Sequence, residues 1–207
     1  MRLNIHSVYR PFLRYFRSKR MNEFWVRFGI TAETIILDAG GDPFNWSLMP
    51  DLPELVFLNL YGAKWTKIGW VIGDVRYLPF KNGSFEIVFS NSVIEHLGTL
   101  NNQELFASEC RRVGCHYYVQ TPNKFFPIEP HLITPFIHWL PEWLQLRLMR
   151  NFTVWGLITR PKRQDCENLL NEIRLLNKQE FQNLFPDAEI VLERFLGITK
   201  SFIAMKI

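Results

Sequence analysis

Ile35-Ile36-Leu37-Asp38-Ala39-Gly40-Gly41 is an apolar run that ends on an acid, a small residue and two glycines. It reads as a buried strand delivering the chain into a tight turn, because glycine admits conformations and close approaches that a side chain blocks. A second block, Gly73-Asp74-Val75-Arg76-Tyr77-Leu78-Pro79-Phe80, follows about one strand–helix unit later, and a third, Phe85 to Leu97, comes soon after. Each closes an apolar run with small or polar residues. In an open α/β sheet, ligands bind outside the carboxyl ends of the strands. Three such ends in one short chain point to a nucleotide-like ligand.

Working outward, strands are expected over Thr34–Ala39, Leu55–Leu60, Trp70–Ile72, Phe85–Ser90 and His116–Gln120, the last stopped by Thr121-Pro122. Two closing strands, Glu189–Glu193 and Ser201–Ile207, are joined by Gly197-Ile198-Thr199. Helices are expected over 101–113 and 178–184. The connections between the first three strands are too short for full crossover helices, which normally need a dozen residues or more. Something else must cover that face of the sheet. The natural candidate is residues 8–28, where Phe12, Leu13, Phe16, Phe24, Trp25 and Phe28 recur at three- and four-residue spacing, with Arg10, Arg14, Arg17 and Arg20 on another face and Pro11 in the first turn.

A chain of 207 residues, 47% apolar and 21% charged, fits one globular domain. Its segments are a basic N-terminal helix (residues 1–30) and a lid-like insertion (residues 122–163) rich in Pro, Phe, Trp and Arg. Residues 1–30 hold seven Lys/Arg against one acid, so they carry +6 of a total of +4 and the remainder is at −2. Such a basic end could dock on the sheet or lie near an anionic membrane as a peripheral contact. Nucleic acid is not expected, because no recognition motif accompanies it. Cys110, Cys115 and Cys166 show neither metal-ligand spacing nor an even framework, which suits reduced thiols in the cytoplasm. No leader-like apolar segment is visible, and Leu132 to Leu146 is too interrupted to span a bilayer.

This order of blocks resembles the class I S-adenosylmethionine-dependent methyltransferases, and within them the group of ubiquinone and menaquinone biosynthesis enzymes. The likeness rests on Leu37-Asp38-Ala39-Gly40-Gly41, on Gly73 to Phe80 with Ser84-Phe85, and on Ser90-Asn91-Ser92-Val93-Ile94-Glu95-His96. Thr121-Pro122-Asn123 and Thr199-Lys200-Ser201 also fit. The resemblance implies a Rossmann-like α/β fold: a seven-stranded sheet, mostly parallel with an antiparallel last strand, and helices on both faces. It implies S-adenosyl-L-methionine as cofactor. Asp38, Gly40 and Gly41 would lie against its methionine part, and Asn59 and Leu60 against the ribose. Asp74 and Val75 would meet the adenine, and Ser90 and Asn91 would lie under the sulfonium. Two departures stand out. Asp42-Pro43-Phe44 replaces the further glycines of the turn, and Asn59 replaces an acid, so an aspartate at 59 is expected to serve as well or better.

The reaction implied is methyl transfer to a small-molecule acceptor, with oxygen the acceptor atom and an apolar, anionic molecule the best fit to the insertion's aromatics and arginines. The alternative is a non-catalytic relative that binds cofactor as a partner subunit. A base assists when the acceptor is a hydroxyl. His131 with Glu129 on the insertion is one candidate and His96 the other; each could equally be structural. Some quinone-pathway relatives hold a metal with a Glu-x-x-Glu-His pattern. Ser92 stands in its first place here, so no metal is expected. The acceptor's identity and the oligomeric state are not legible.

Overall fold

The apolar runs become strands because both of their faces are covered, so alternate residues enter two different cores. The computed structural model describes residues 5–41, 43–62 and 69–207, and the side chains of the first helix from residue 14 onward. Helix α1 (Ile5–Phe28) precedes strands β1 (Ile35–Ala39), β2 (Glu54–Asn59), β3 (Gly69–Ile72) and β4 (Phe85–Asn91). Helix α2 (Leu100–Val113) leads into β5 (Gly114–Pro122). After the insertion come α6 (Lys178–Leu184), β8 (Glu189–Phe195) and β9 (Ile198–Lys206). The sheet order is β3-β2-β1-β4-β5-β9-β8. The first five strands are mutually parallel, and β9 runs antiparallel to both β5 and β8.

One face buries Leu37, Val88, Phe106, Tyr117, Phe181 and Phe202 under α2 and α6. The other buries Ile36, Phe57, Phe89, Tyr118 and Ile203 under α1. Among the described residues between β1 and β2 there is only a short 3-10 turn, Trp46–Leu48, so α1 supplies the cover that this connection does not. Phe24 is its anchor. That ring is fully buried, with ring centroids of Trp46, Phe89 and Tyr118 at 6.2, 4.9 and 5.0 Å. Burying such a side chain stabilises the fold by about 1.5–3 kcal/mol. Phe16 is buried too, and Trp25 and Phe28 pack at the margin. The side chains of Phe12 and Leu13 lie outside the described residues.

Four expectations need correction. The helix begins at Ile5, which places Pro11 in the second turn rather than the first. Strand β5 starts at Gly114, not His116, and runs on through Thr121 to Pro122, which pairs with Ser201. Proline is tolerated there because it ends the strand. The closing hairpin turns on Leu196-Gly197, with φ of 49° and 82°, so Ile198 and Thr199 already belong to β9. Two consecutive positive φ values make the two-residue turn whose twist matches a hairpin; a leucine in that place gave no turn signal. Finally, the insertion does not end at residue 163, because its last helix runs on to Glu172. It holds a two-stranded ribbon, β6 (Ile128–Glu129) with β7 (Thr134–Pro135), then α3 (Glu142–Phe152), α4 (Val154–Thr159) and α5 (Arg163–Glu172). These share a small core of Leu132, Ile137, Met149 and Cys166.

Candidate functional site

Strands β3, β2, β1 and β4 are adjacent and parallel, so their carboxyl ends open on one edge of the sheet. The turn after β1 occupies its centre. Gly40 sits at φ +80°, and its amide donates to the Leu58 carbonyl at 2.7 Å. A Cβ on Gly40 would lie 2.6 Å from Val93 Cγ1, and one on Gly41 would lie 2.0 Å from Asp38 Oδ1. Both glycines are therefore required by neighbouring side chains of the protein itself. Asp38 is buried on the α1 face and accepts the Trp46 indole N–H at 2.7 Å.

Asn59 is held differently from the expectation. Its amide nitrogen donates to the carbonyls of Gly40 and Gly41, both at 3.1 Å, and its oxygen accepts the Leu60 amide at 2.8 Å. The side chain braces the glycine turn. An aspartate there would set a carboxylate against two carbonyl oxygens, so the expectation that it serves equally well is withdrawn. Leu60 stands exposed just beyond β2.

After β3, the Asp74 carboxylate accepts from the side chain and backbone amide of Arg76 at 2.5–3.0 Å. The Arg76 hydrogen bonds hold the Asp74 carboxyl below its usual range, so it is ionised at neutral pH. Val75 turns its side chain into the core. At the end of β4, the Ser90 hydroxyl donates to the Ala39 carbonyl at 2.9 Å, tying β4 to β1. Asn91 accepts from Arg20 of α1. Arg20 also faces Glu193 Oε1 at 3.0 Å, and both side chains are nearly fully buried. Sequence reasoning placed Arg20 on the polar face. Its spacing of four from both Phe16 and Phe24 was the available signal that it shares the buried stripe.

Directly after Val93, a 3-10 turn (Ile94–Leu97) presents Glu95 and His96. The β6–β7 ribbon brings Glu129 and His131 to meet them. His131 Nδ1 lies 2.6 Å from Glu129 Oε1, and His131 Nε2 lies 3.2 Å from His96 Nε2. His96 Nδ1 lies 2.8 Å from Glu172 Oε1 at the end of α5. Glu95 is fully buried; one oxygen accepts the Thr121 hydroxyl at 3.1 Å, and Oε1 has no hydrogen-bond partner. Burial pushes the Glu95 carboxyl above its usual range. Burial also opposes charge on His131, but the hydrogen bond and charge of Glu129 outweigh it and raise the ring's basicity. The three acceptor-side candidates thus converge, joined by Glu172, for which the sequence held no motif. Gly98 makes the approach of α5 possible: a Cβ there would meet the Asn171 carbonyl at 2.8 Å.

The chain has the fold of the S-adenosylmethionine-dependent methyltransferases. Magnesium protoporphyrin IX methyltransferase from Synechocystis PCC 6803, solved with the demethylated cofactor, overlays with a TM-score of 0.57 at 10% identity, covering 100% of this chain and 89% of that one. The N-methyltransferase NodS from Bradyrhizobium japonicum WM9 overlays at 0.54 and 11% identity, covering 94% and 95%. A Pyrococcus horikoshii OT3 protein overlays at 0.56 and 15% identity, covering 98% of each. Residues 54–115, from β2 to the start of β5, match the profile of a methyltransferase-domain family. A protein of Encephalitozoon cuniculi (strain GB-M1), whose name provisionally assigns it to the methyltransferases, is 39% identical over 87 residues. That match spans 40% of this chain and 41% of the relative's length.

Proposed function

We propose that the chain transfers the methyl group of S-adenosyl-L-methionine to an oxygen of a small-molecule acceptor. One observation supports this most: the glycine turn after β1, the ionised Asp74 after β3 and the Ser90-Asn91 end of β4 share one sheet edge, within and beside the segment that matches a methyltransferase domain. These residues fit the cofactor. Asp74 keeps lone pairs for an amino group even while it holds Arg76, and exposed Leu60 offers an apolar edge. The fit is weaker at the ribose, because the Asn59 amide is engaged with the turn.

When bound, the cofactor supplies a methyl group already activated on a sulfonium. The protein's task is then alignment, exclusion of water and removal of the acceptor's proton. Asn59 and the Gly40–Val93 contact fix the turn. Glu129 orients His131, and His96 follows three residues after Val93, which packs on Gly40, so the imidazole pair is the candidate to take a proton from a hydroxyl. This supports an oxygen acceptor, although the solved relatives named above include a nitrogen-directed enzyme. Several large aromatics of the insertion are exposed, among them Phe125, Phe136 and Trp139, which favours an apolar acceptor over a purely polar one. A membrane role for the basic N-terminus is less favoured. Of its described basic residues, Arg20 is buried and Arg17 reaches Asn45 and the Phe44 ring, leaving Arg14, Lys19 and Arg27 exposed.

Calorimetry should show binding of S-adenosylmethionine and its demethylated product in the micromolar range, about −8 kcal/mol. Label from the cofactor's methyl group should then appear on a hydroxylated aromatic acceptor in a panel, and His131→Ala should lower turnover by roughly 10²–10⁴-fold. No binding by the folded protein would sink the reading. A second reading, a cofactor-binding partner subunit without turnover, is favoured by the engaged Asn59 and by Arg76 on Asp74. Binding without transfer to any acceptor in the panel would select it.

A further inference from the structure

Both imidazoles in the cluster are pinned from behind. A carboxylate accepts and does not donate, so Glu129 fixes a proton on Nδ1 of His131, and Glu172 fixes one on Nδ1 of His96. In the neutral rings each Nε2 is then a lone pair. The two lone pairs face each other at 3.2 Å, with the ring planes at 89° and centroids 4.8 Å apart. Lone pairs at that distance repel unless something positive lies between or beside them. The third member is the fully buried Glu95, whose Oε1 has no hydrogen-bond partner. One ligand atom from each of Glu95, His96 and His131 falls within 4.8 Å of the other two.

We propose that Glu95, His96 and His131 bind one divalent transition-metal ion of the zinc type. The spacing of the two imidazole nitrogens fits this class. Two nitrogens at ~2.05 Å from a tetrahedral ion stand about 3.4 Å apart, close to the observed 3.2 Å. A carboxylate behind each ligating imidazole is the usual outer shell of such sites, since it fixes the tautomer and aims the ring. Two imidazoles and one carboxylate suit zinc, cobalt(II), nickel(II) or iron(II) and suit magnesium or calcium poorly. The absence of a carboxylate at Ser92 argued against a metal in the sequence. The structure supplies a donor from elsewhere: His131, 35 residues from His96 and carried by the insertion.

Three protein ligands leave a fourth position open. An acceptor oxygen there would lose its proton more readily, and in the loaded protein His131 would be a ligand rather than the base. This last consequence rests on the methyltransferase reading; binding of the ion does not.

The test uses the full chain, stripped with a chelator and titrated separately with zinc and cobalt(II). One equivalent should bind with a dissociation constant at or below the micromolar range. Cobalt should give the intense visible bands of a four- or five-coordinate site with nitrogen ligands. His96→Ala and His131→Ala should each weaken binding by roughly 100-fold or more, and Glu129→Gln by roughly 10–100-fold. Melting temperature and binding of the demethylated cofactor, measured on each variant, separate a lost ligand from a lost fold. Substoichiometric binding, or equal binding by His131→Ala, would overturn the proposal and leave a shared proton as the cation between the rings. Metal bound without cofactor would sink the methyltransferase reading alone, and cofactor bound without metal would sink the site alone.

Discussion

Phe16 and Phe24 of α1 are 5% and 0% exposed, whereas Phe125, Trp143 and Phe152 of the insertion are 61%, 65% and 69% exposed. Both segments are rich in aromatic rings and arginine, and both sit outside the sheet. The difference lies in what each is packed against. Among the described residues, the short connections between β1, β2 and β3 give that sheet face no α-helix, and α1 covers it with Met21, Phe24, Trp25 and Phe28. The insertion meets no bare sheet. It closes a small core of its own around Leu132, Ile137 and Met149, against which Trp155 packs, and it leaves Phe125, Phe136, Trp139, Trp143 and Phe152 exposed. Composition announces apolar area; the topology of the neighbours decides whether that area becomes core or contact surface.

The comparison breaks most directly at Phe24. Phe24→Ala should cost about 3–5 kcal/mol, the range for a large buried ring, read by chemical denaturation. A loss under 1 kcal/mol would mean that α1 is not an integral layer. Arg20→Ala should cost nearly as much, about 3–5 kcal/mol, because it leaves Glu193 buried without its arginine; the double variant Arg20→Met/Glu193→Gln should recover much of the loss.

Acid sharpens the same point. Burial disfavours the charge on Glu193, but Arg20 and Lys200 outweigh it and hold its folded pKa below the ordinary value. The resulting stability is present above about pH 4.3 and is lost as pH falls through the lower folded value. Hydrogen exchange along α1 should accelerate in that window, and Glu193→Gln should remove the acid step.

Smaller effects belong to the site and the insertion. Asn59→Asp should weaken cofactor binding by about 1–3 kcal/mol through the lost amide donors; unchanged or tighter binding would restore a direct ribose role for position 59. Trp143→Ser and Phe152→Ser should change stability by less than about 0.5 kcal/mol, while altering the affinity for apolar acceptors. A large destabilisation by either would erase the contrast between the two segments.

The strands were legible because residues such as Ile36-Leu37 and Ile87-Val88-Phe89 form short apolar runs stopped by polar residues, a pattern that survives any tertiary context. The insertion's helices were not, because α3, α4 and α5 are only 11, 6 and 10 residues long and are cut apart at Thr153 and at Arg160-Pro161, so no sustained period announces them. At the site, His96, His131 and Glu129 could be picked out singly by their chemistry. Their meeting could not, since it depends on a four-residue ribbon and on Glu172 at a helix end. Asn59 shows the opposite limit. Its place at the end of β2 was correct, but place along a chain does not say which way an amide turns.

The contact between Asp38 and Gly41 has a consequence for descent. The carboxylate occupies the space a β-carbon at 41 would need, and Trp46 supplies the donor that keeps the carboxylate there. Positions 38, 41 and 46 are therefore not free to drift one at a time. A lineage that puts alanine or serine at 41 must first shrink or turn away the acid at 38, and the indole at 46 then loses its acceptor. Among relatives these three should change as a set, and a family tree in which they vary independently would show that the packing at this turn is not inherited as a unit.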